Sequence, residues 1–135
     1  MYLRHLSRKL GITIDPSTSI GPGLYIAHYP GTIINSMSVL GKNSTLSPGI
    51  VLGLAPRGKC PGSPVFGDNV YVAPGAKVFG GIHIGNNVAI GANCVVTHDV
   101  PDNAVVVGIP EKILSYDGSK GFVNNIDYED IIVKP

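Results

Sequence analysis

The chain has 135 residues, 14% of them charged, and a formal net charge of +1. That length leaves room for one domain, and so weak a field argues against a nucleic-acid partner. No apolar run reaches membrane-spanning length and no signal peptide is visible, so the reading is a cytoplasmic chain with no membrane span. Residues 1–11, closing on Arg8-Lys-Leu-Gly11, predict a short basic amphipathic helix that Gly11 terminates as a cap. From Ile12 to Ile113 the pattern changes to a beat of one aliphatic or aromatic residue every six positions. Ile14, Ile20 and Ile26 form a first set, and Ile34, Leu40, Leu46 and Leu52 a second. Phe66, Val72, Val78, Ile84, Ile90 and Val96 form a third. Residues 114–135 lose the beat and predict a tail lying against the outside of the domain or a neighbouring subunit.

A six-residue period fits neither a helix nor a single strand. Six steps of about 100° scatter the apolar residues around a helix, and a strand does not run for thirty residues. The period instead predicts a solenoid that turns a corner each hexad, with one apolar side chain per hexad in a shared core. The fourth residue after most beats is small or aliphatic, as at Ser38, Ser44, Ile50, Val70, Ala76, Ile82, Val88 and Cys94, and is expected to point inward too. With three hexads per turn, the thirteen beats predict a little over four turns. The spacing lengthens to eight between Ile26 and Ile34 and to fourteen between Leu52 and Phe66, each a whole number of hexads plus two, so loops are expected there. The 18 glycines, with asparagines such as Asn86-Asn87, suit the positive φ of tight corners. Two cysteines make no disulfide framework, which fits a reducing compartment; Cys94 reads as core and Cys60 as a loop thiol beside Lys59.

Three segments carry a family resemblance. They are Ile20-Gly-Pro-Gly-Leu-Tyr-Ile-Ala-His28, Ile90-Gly-Ala-Asn-Cys-Val-Val-Thr-His-Asp-Val-Pro101 and Val107-Gly-Ile-Pro-Glu-Lys-Ile-Leu114. With the beat between them, residues 12–114 resemble the left-handed β-helix hexapeptide-repeat acyltransferases. Within these the chain looks most like the serine acetyltransferases, particularly short members associated with surface-polysaccharide gene clusters. The resemblance implies an all-β fold: a left-handed parallel β-helix over 12–113, between the N-terminal helical cap (1–11) and the C-terminal tail (114–135). It implies acetyl transfer from acetyl-CoA to a hydroxyl, in a homotrimer, with no metal required. His28 matches the family's general base. An imidazole near neutrality suits that task, because an alcohol must lose its proton as it attacks a thioester. Ala73, Ala92, Thr97, His98 and Lys112 match positions that contact CoA, and His98 stands where many relatives carry a lysine.

The departures bear on the acceptor. The family's aspartate that orients the base is Thr13 here, and the aspartate before the base, implicated in serine binding, is Ala27. The loop that carries an Arg-His pair in those enzymes reads Gly62-Ser63. Asp15 or Asn35 is a candidate to replace the orienting carboxylate. The expected acceptor is therefore serine or a sugar hydroxyl, with the sugar favoured by the lost anions. Loop 55–64, with Arg57 and Lys59, is a candidate for CoA phosphates or for reaching an adjacent subunit. Two other readings stand beside this one. The first is a catalytically inactive trimeric β-helix scaffold. The second is a metalloenzyme like the γ-class carbonic anhydrases, which needs three histidines across an interface. Against it, His83 is expected to face solvent by strand alternation.

Overall fold

The computed structural model describes residues 9–28 and 30–123 of the chain. Most of the predicted helical cap, residues 1–8, and the distal tail, residues 124–135, lie outside the described residues. From Ile12 onward short strands succeed one another, each ended by a corner, and stack in parallel into three faces. The first face carries β1 (Ile12–Ile14), β4 (Thr32–Ile34), β7 (Val51–Gly53), β10 (Lys77–Phe79) and β13 (Val95–Val96). The second carries β2 (Ser19–Ile20), β5 (Val39–Leu40), β8 (Val65–Phe66) and β11 (His83–Ile84). The third carries β3 (Tyr25–Ile26), β6 (Thr45–Leu46), β9 (Tyr71–Val72), β12 (Ala89–Ile90), β14 (Val105–Val107) and β15 (Lys112–Ser115). The chain is thus a parallel β-solenoid with a triangular cross-section, as the beat predicts. None of the described residues forms a helix long and apolar enough to cross a membrane.

Register explains why one residue per hexad suffices for a core. Ile14 pairs with Ile34, Ile34 with Leu52, Leu52 with Val78 and Val78 with Val96, so like stacks on like. From Ile34 to Val96 every beat residue is nearly or fully buried, and every predicted fourth-position residue from Ser38 to Cys94 is buried beside it. The two serines in that slot leave their hydroxyls without a partner among the described residues.

Two details differ from the sequence-based expectation. Val100 bridges Ile84 in parallel and β14 pairs with β12, so Val100 and Val106 continue the core and complete a fifth turn. The beat hides them because the corner between Val96 and Val100 is two residues short. The spacing of fourteen is also a single step from β7 to β8, with all the extra length spent on one loop. That loop folds back on itself: Ala55 and Gly62 exchange backbone hydrogen bonds of 2.9 and 2.8 Å. The solenoid then ends in a reversal, because β15 pairs antiparallel with β14.

The corner between the second and third faces is an asparagine ladder. Asn43, Asn69, Asn87 and Asn103 stack one per turn, each with φ between 57 and 64°. Asparagine tolerates that left-handed backbone because its short polar side chain bonds locally. Each side-chain amide donates to the next: Asn43 to Asn69 (3.1 Å), Asn69 to Asn87 (3.0 Å) and Asn87 to Asn103 (3.2 Å). The described part of the tail lies outside this corner. The Ser119 N–H donates to the Asn87 carbonyl at 3.0 Å and its hydroxyl to the Asn69 carbonyl at 2.5 Å, while Phe122 stacks on Tyr71.

Candidate active site

His28 lies on the edge where the third face turns into the first. Rungs on this edge align through the backbone: Ala27 N–H donates to Leu46 C=O, Ser47 to Val72, Ala73 to Ile90, and Gly91 to Val106. Ala73 and Ala92 therefore stand on the same edge as His28, two and three turns above it. At the coil spacing of roughly 4.8 Å, His28 and Ala92 are about 14 Å apart along the edge. Lys112 pairs with Val107 and so lies at the upper end. Of the residues expected to contact CoA, the structure sets these three on one line with the candidate base.

The local backbone at His28 departs from the other rungs. In the regular turns the positive-φ position of this edge is filled by Gly49, Gly75 and Asn93, and Gly31 stacks on Gly49 beneath them. The two extra residues of the first turn fall between Ala27 and Gly31, and within them His28 takes a second positive φ of 64°. The insertion thus turns an exposed imidazole out of the regular stack. A left-handed non-glycine residue is uncommon, and such conformations gather at functional sites. Among the described residues none hydrogen-bonds the His28 ring.

Asp15 and Asn35, considered as its orienting partners, occupy a different edge, between the first and second faces. Asp15 Oδ1 accepts from the N–H and hydroxyl of Ser17. Asn35 Oδ1 accepts from Met37 N–H (2.9 Å) and from the Ser63 hydroxyl (2.9 Å), which anchors the base of loop 55–64. Arg57 and Lys59 are exposed on that loop, and Cys60 packs in part against the core.

Thr97 and His98 follow β13 on the first face, away from the edge itself. The connection between β14 and β15 crosses the top of β13 and brings Glu111 to them. Val95 N–H donates to Gly108 C=O, and Glu111 N–H donates to Val95 C=O. The Glu111 carboxylate then accepts from Thr97 N–H at 3.2 Å and from His98 Nδ1 at 2.8 Å. Its side chain is 7% exposed, whereas that of His98 is 74% exposed. Burial pushes the nearby Cys94 thiol up to about 11, with the Glu111 charge adding to the effect, so Cys94 stays protonated at neutral pH.

Sequence reasoning missed two groups here. Glu111 was visible only as part of a shared segment, and its partners thirteen residues earlier depend on the path of the connection. Lys77 carries no signal in the sequence beyond standing one residue before the beat residue Val78. Its ammonium donates to Gly49 C=O (2.8 Å) and Gly75 C=O (2.7 Å), tying together two rungs of the edge between His28 and Ala92. His83 is exposed, as alternation predicts. Among the described residues no three His, Cys, Asp or Glu side chains are grouped to hold a metal ion.

Residues 63–98 match the bacterial transferase hexapeptide family (six repeats). The chain is similar to the serine acetyltransferase of Staphylococcus aureus (strain Mu50), 44% identical over 108 residues, which are 80% of this chain and 51% of that protein. Among solved structures it resembles the Neisseria gonorrhoeae serine acetyltransferase in complex with serine. There the TM-score is 0.75 and the identity 35%, over 83% of this chain and 46% of that one. It also resembles the Brucella abortus serine acetyltransferase in complex with coenzyme A, with a TM-score of 0.71 and 30% identity over 76% of this chain and 41% of the other. The chain spans about half the length of the curated relatives it matches. In repeat, fold and sequence the chain is similar to the bacterial hexapeptide-repeat transferases, and within them to the serine acetyltransferases.

Proposed function

We propose that this chain is the catalytic β-helix of an acetyl-CoA-dependent O-acetyltransferase of serine acetyltransferase type, with the edge from His28 to Lys112 as its groove. The observation that supports this best is the shared edge: an exposed imidazole pushed out of the stack at one end, small residues above it, and a lysine at the other. The Brucella relative's complex with coenzyme A supports the cosubstrate. Ala73 and Ala92 let a pantetheine arm approach the backbone, and Lys112 offers a point charge to a phosphate. Thr97 and His98 lie beyond β13 on the first face, where Glu111 reaches them.

In the reaction, His28 takes the proton of the acceptor hydroxyl while its oxygen attacks the acetyl carbonyl. The tetrahedral intermediate then collapses with cleavage of the carbon–sulfur bond. The imidazolium returns the proton to the departing sulfur, giving an acetyl ester and free CoA thiol. Backbone N–H groups at the corner above are the available oxyanion donors. These steps need no metal. One edge of a prism leaves a ligand open on one side, so the groove gains its second wall from a neighbouring copy in a homotrimer. The apolar surface of the first face beside it, Ile33 and Phe79 among its exposed residues, fits that packing.

The acceptor we favour is a sugar hydroxyl. Ala27 and Thr13 supply no anion for the ammonium group of serine, although the Neisseria relative is seen with serine bound. Release of CoA thiol from acetyl-CoA, measured with serine and with a panel of sugars, tests this. Turnover of a sugar above serine is expected. Efficient turnover of serine alone overturns the sugar acceptor, and absence of CoA binding with every acceptor inert overturns the enzyme and leaves a trimeric scaffold.

A further inference from the structure

The third face carries a column of outward residues in register. Tyr25 on β3 stands beside Thr45 on β6, and Thr45 beside Tyr71 on β9. The two tyrosines differ in what covers them. Phe122 of the tail stacks on the Tyr71 ring, with centroids 5.2 Å apart and planes 28° from parallel. Tyr25 has no ring partner among the described residues and is 42% exposed. It also stands on β3, the last strand at its end of the sheet. The same strand runs on to His28. Ile26 pairs with the core residue Leu46 and points inward, which by alternation turns Tyr25 and Ala27 outward. His28 follows at the corner, exposed and with its positive φ. At about 3.3 Å per residue, Tyr25 and His28 are separated by no more than about 10 Å. Along the strand between them, Ala27 offers only a methyl group. The aspartate that the resemblance leads one to expect in its place would stand in that space.

We propose that Tyr25 is the platform for the acceptor: a sugar ring stacks on its exposed face and directs one hydroxyl at His28. This rests on the reading of His28 as the base of a sugar O-acetyltransferase. The C–H groups on one face of a pyranose are slightly positive, and the face of a tyrosine ring is negative. The two attract while the sugar hydroxyls at the ring's rim stay free to bond. Ala27 is the floor of this shelf, and one pyranose with its hydroxyl groups bridges the span from Tyr25 to His28. Serine has no flat C–H face to lay on the ring. The column itself shows the mode of contact, since Phe122 lies in this way on Tyr71. At Tyr25 the acceptor takes the part that Phe122 plays two turns above. Tyr25 thus selects the acceptor by binding it and moves no proton.

The test is steady-state release of CoA thiol from acetyl-CoA, with methyl glucoside, methyl galactoside, N-acetylglucosamine and serine as acceptors. It compares wild type with Tyr25→Ala and Tyr25→Phe. Tyr25→Ala is expected to raise the Michaelis constant for the sugar turned over by about three- to tenfold, the scale of one aromatic contact. The turnover number and the Michaelis constant for acetyl-CoA should each change by less than about twofold, because the contact holds ground state and transition state alike. An unchanged constant for acetyl-CoA also shows the variant to be folded. Tyr25→Phe keeps the ring face and is expected to match wild type. In nuclear magnetic resonance spectra of the wild-type chain, sugar binding should shift the Tyr25 ring protons and leave those of Tyr71 in place. Equal Michaelis constants for the sugar in wild type and Tyr25→Ala overturn the platform and leave the sugar acceptor standing. A loss in Tyr25→Phe as large as in Tyr25→Ala also overturns it, because the hydroxyl rather than the ring face then makes the contact. Turnover of serine with all three sugars inert overturns the platform and the sugar acceptor together.

Discussion

His28→Ala is expected to lower the turnover number by about 10² to 10⁴, the usual contribution of a positioned base. The Michaelis constant for acetyl-CoA should stay within about twofold, because uniform binding is untouched when only a transition-state interaction is lost. The substitution should not disturb the fold. His28 is exposed and sits in an insertion with a positive φ. Alanine accepts its positive φ of 64° at a modest cost of about 1 to 2 kcal/mol, and His28→Asn, which tolerates that backbone better, controls for it. Both variants should be equally inactive. Full activity in His28→Ala removes the base assignment, and activity in His28→Asn alone shows that the backbone rather than the imidazole matters.

The largest expected effect on stability is at Asn87. This residue sits mid-ladder, accepting from Asn69 Nδ2 and donating to Asn103 Oδ1, and its carbonyl receives Ser119 N–H. Valine at this position loses both amide bonds and forces a β-branched side chain into φ 58°. Together these cost about 3 kcal/mol, from roughly 1 kcal/mol per hydrogen bond and 1 to 2 kcal/mol for the backbone. Asn87→Gly keeps the backbone and loses only the two amide bonds, so about two-thirds of that loss is expected. Denaturant melts of the two variants against wild type check the ranking. Equal stability for Asn87→Val and wild type means that the ladder contributes nothing.

The column was legible because its physics repeats. A corner every six residues demands the same inward side chain each time, so Ile34, Leu52, Val78 and Val96 announce one another across turns. Where the repeat is cut, the signal fails. The shortened corner before Val100 breaks the count by two residues, and a fifth turn vanished from view. The loop after β7 was visible, but an eight-residue excursion and a hexad plus two have the same length. Only the pairing of Val39 with Val65 separates them.

The site was legible to a different degree. The insertion beside His28 showed as a phase break, because two residues shift every later beat. The alignment of His28 with Ala73 and Ala92 follows only once the step from β7 to β8 is counted as one, which the pairing of Val39 with Val65 shows. Asn86-Asn87 read as corner chemistry, yet a ladder of amides needs four corners stacked in register, which no single corner reveals. Glu111 was hidden for a related reason. Its carboxylate meets His98 only because the connection before β15 crosses the top of β13, and no local pattern encodes that crossing.

The central claim is that one edge of the column holds acetyl-CoA with its reactive end at His28. A crystal structure of the chain with CoA bound tests it most directly. The account predicts the sulfur beside His28, the pantetheine arm running past Ala73 and Ala92, and the nucleotide at His98 and Lys112. CoA seated on another edge, or with its sulfur at the Lys112 end, contradicts it.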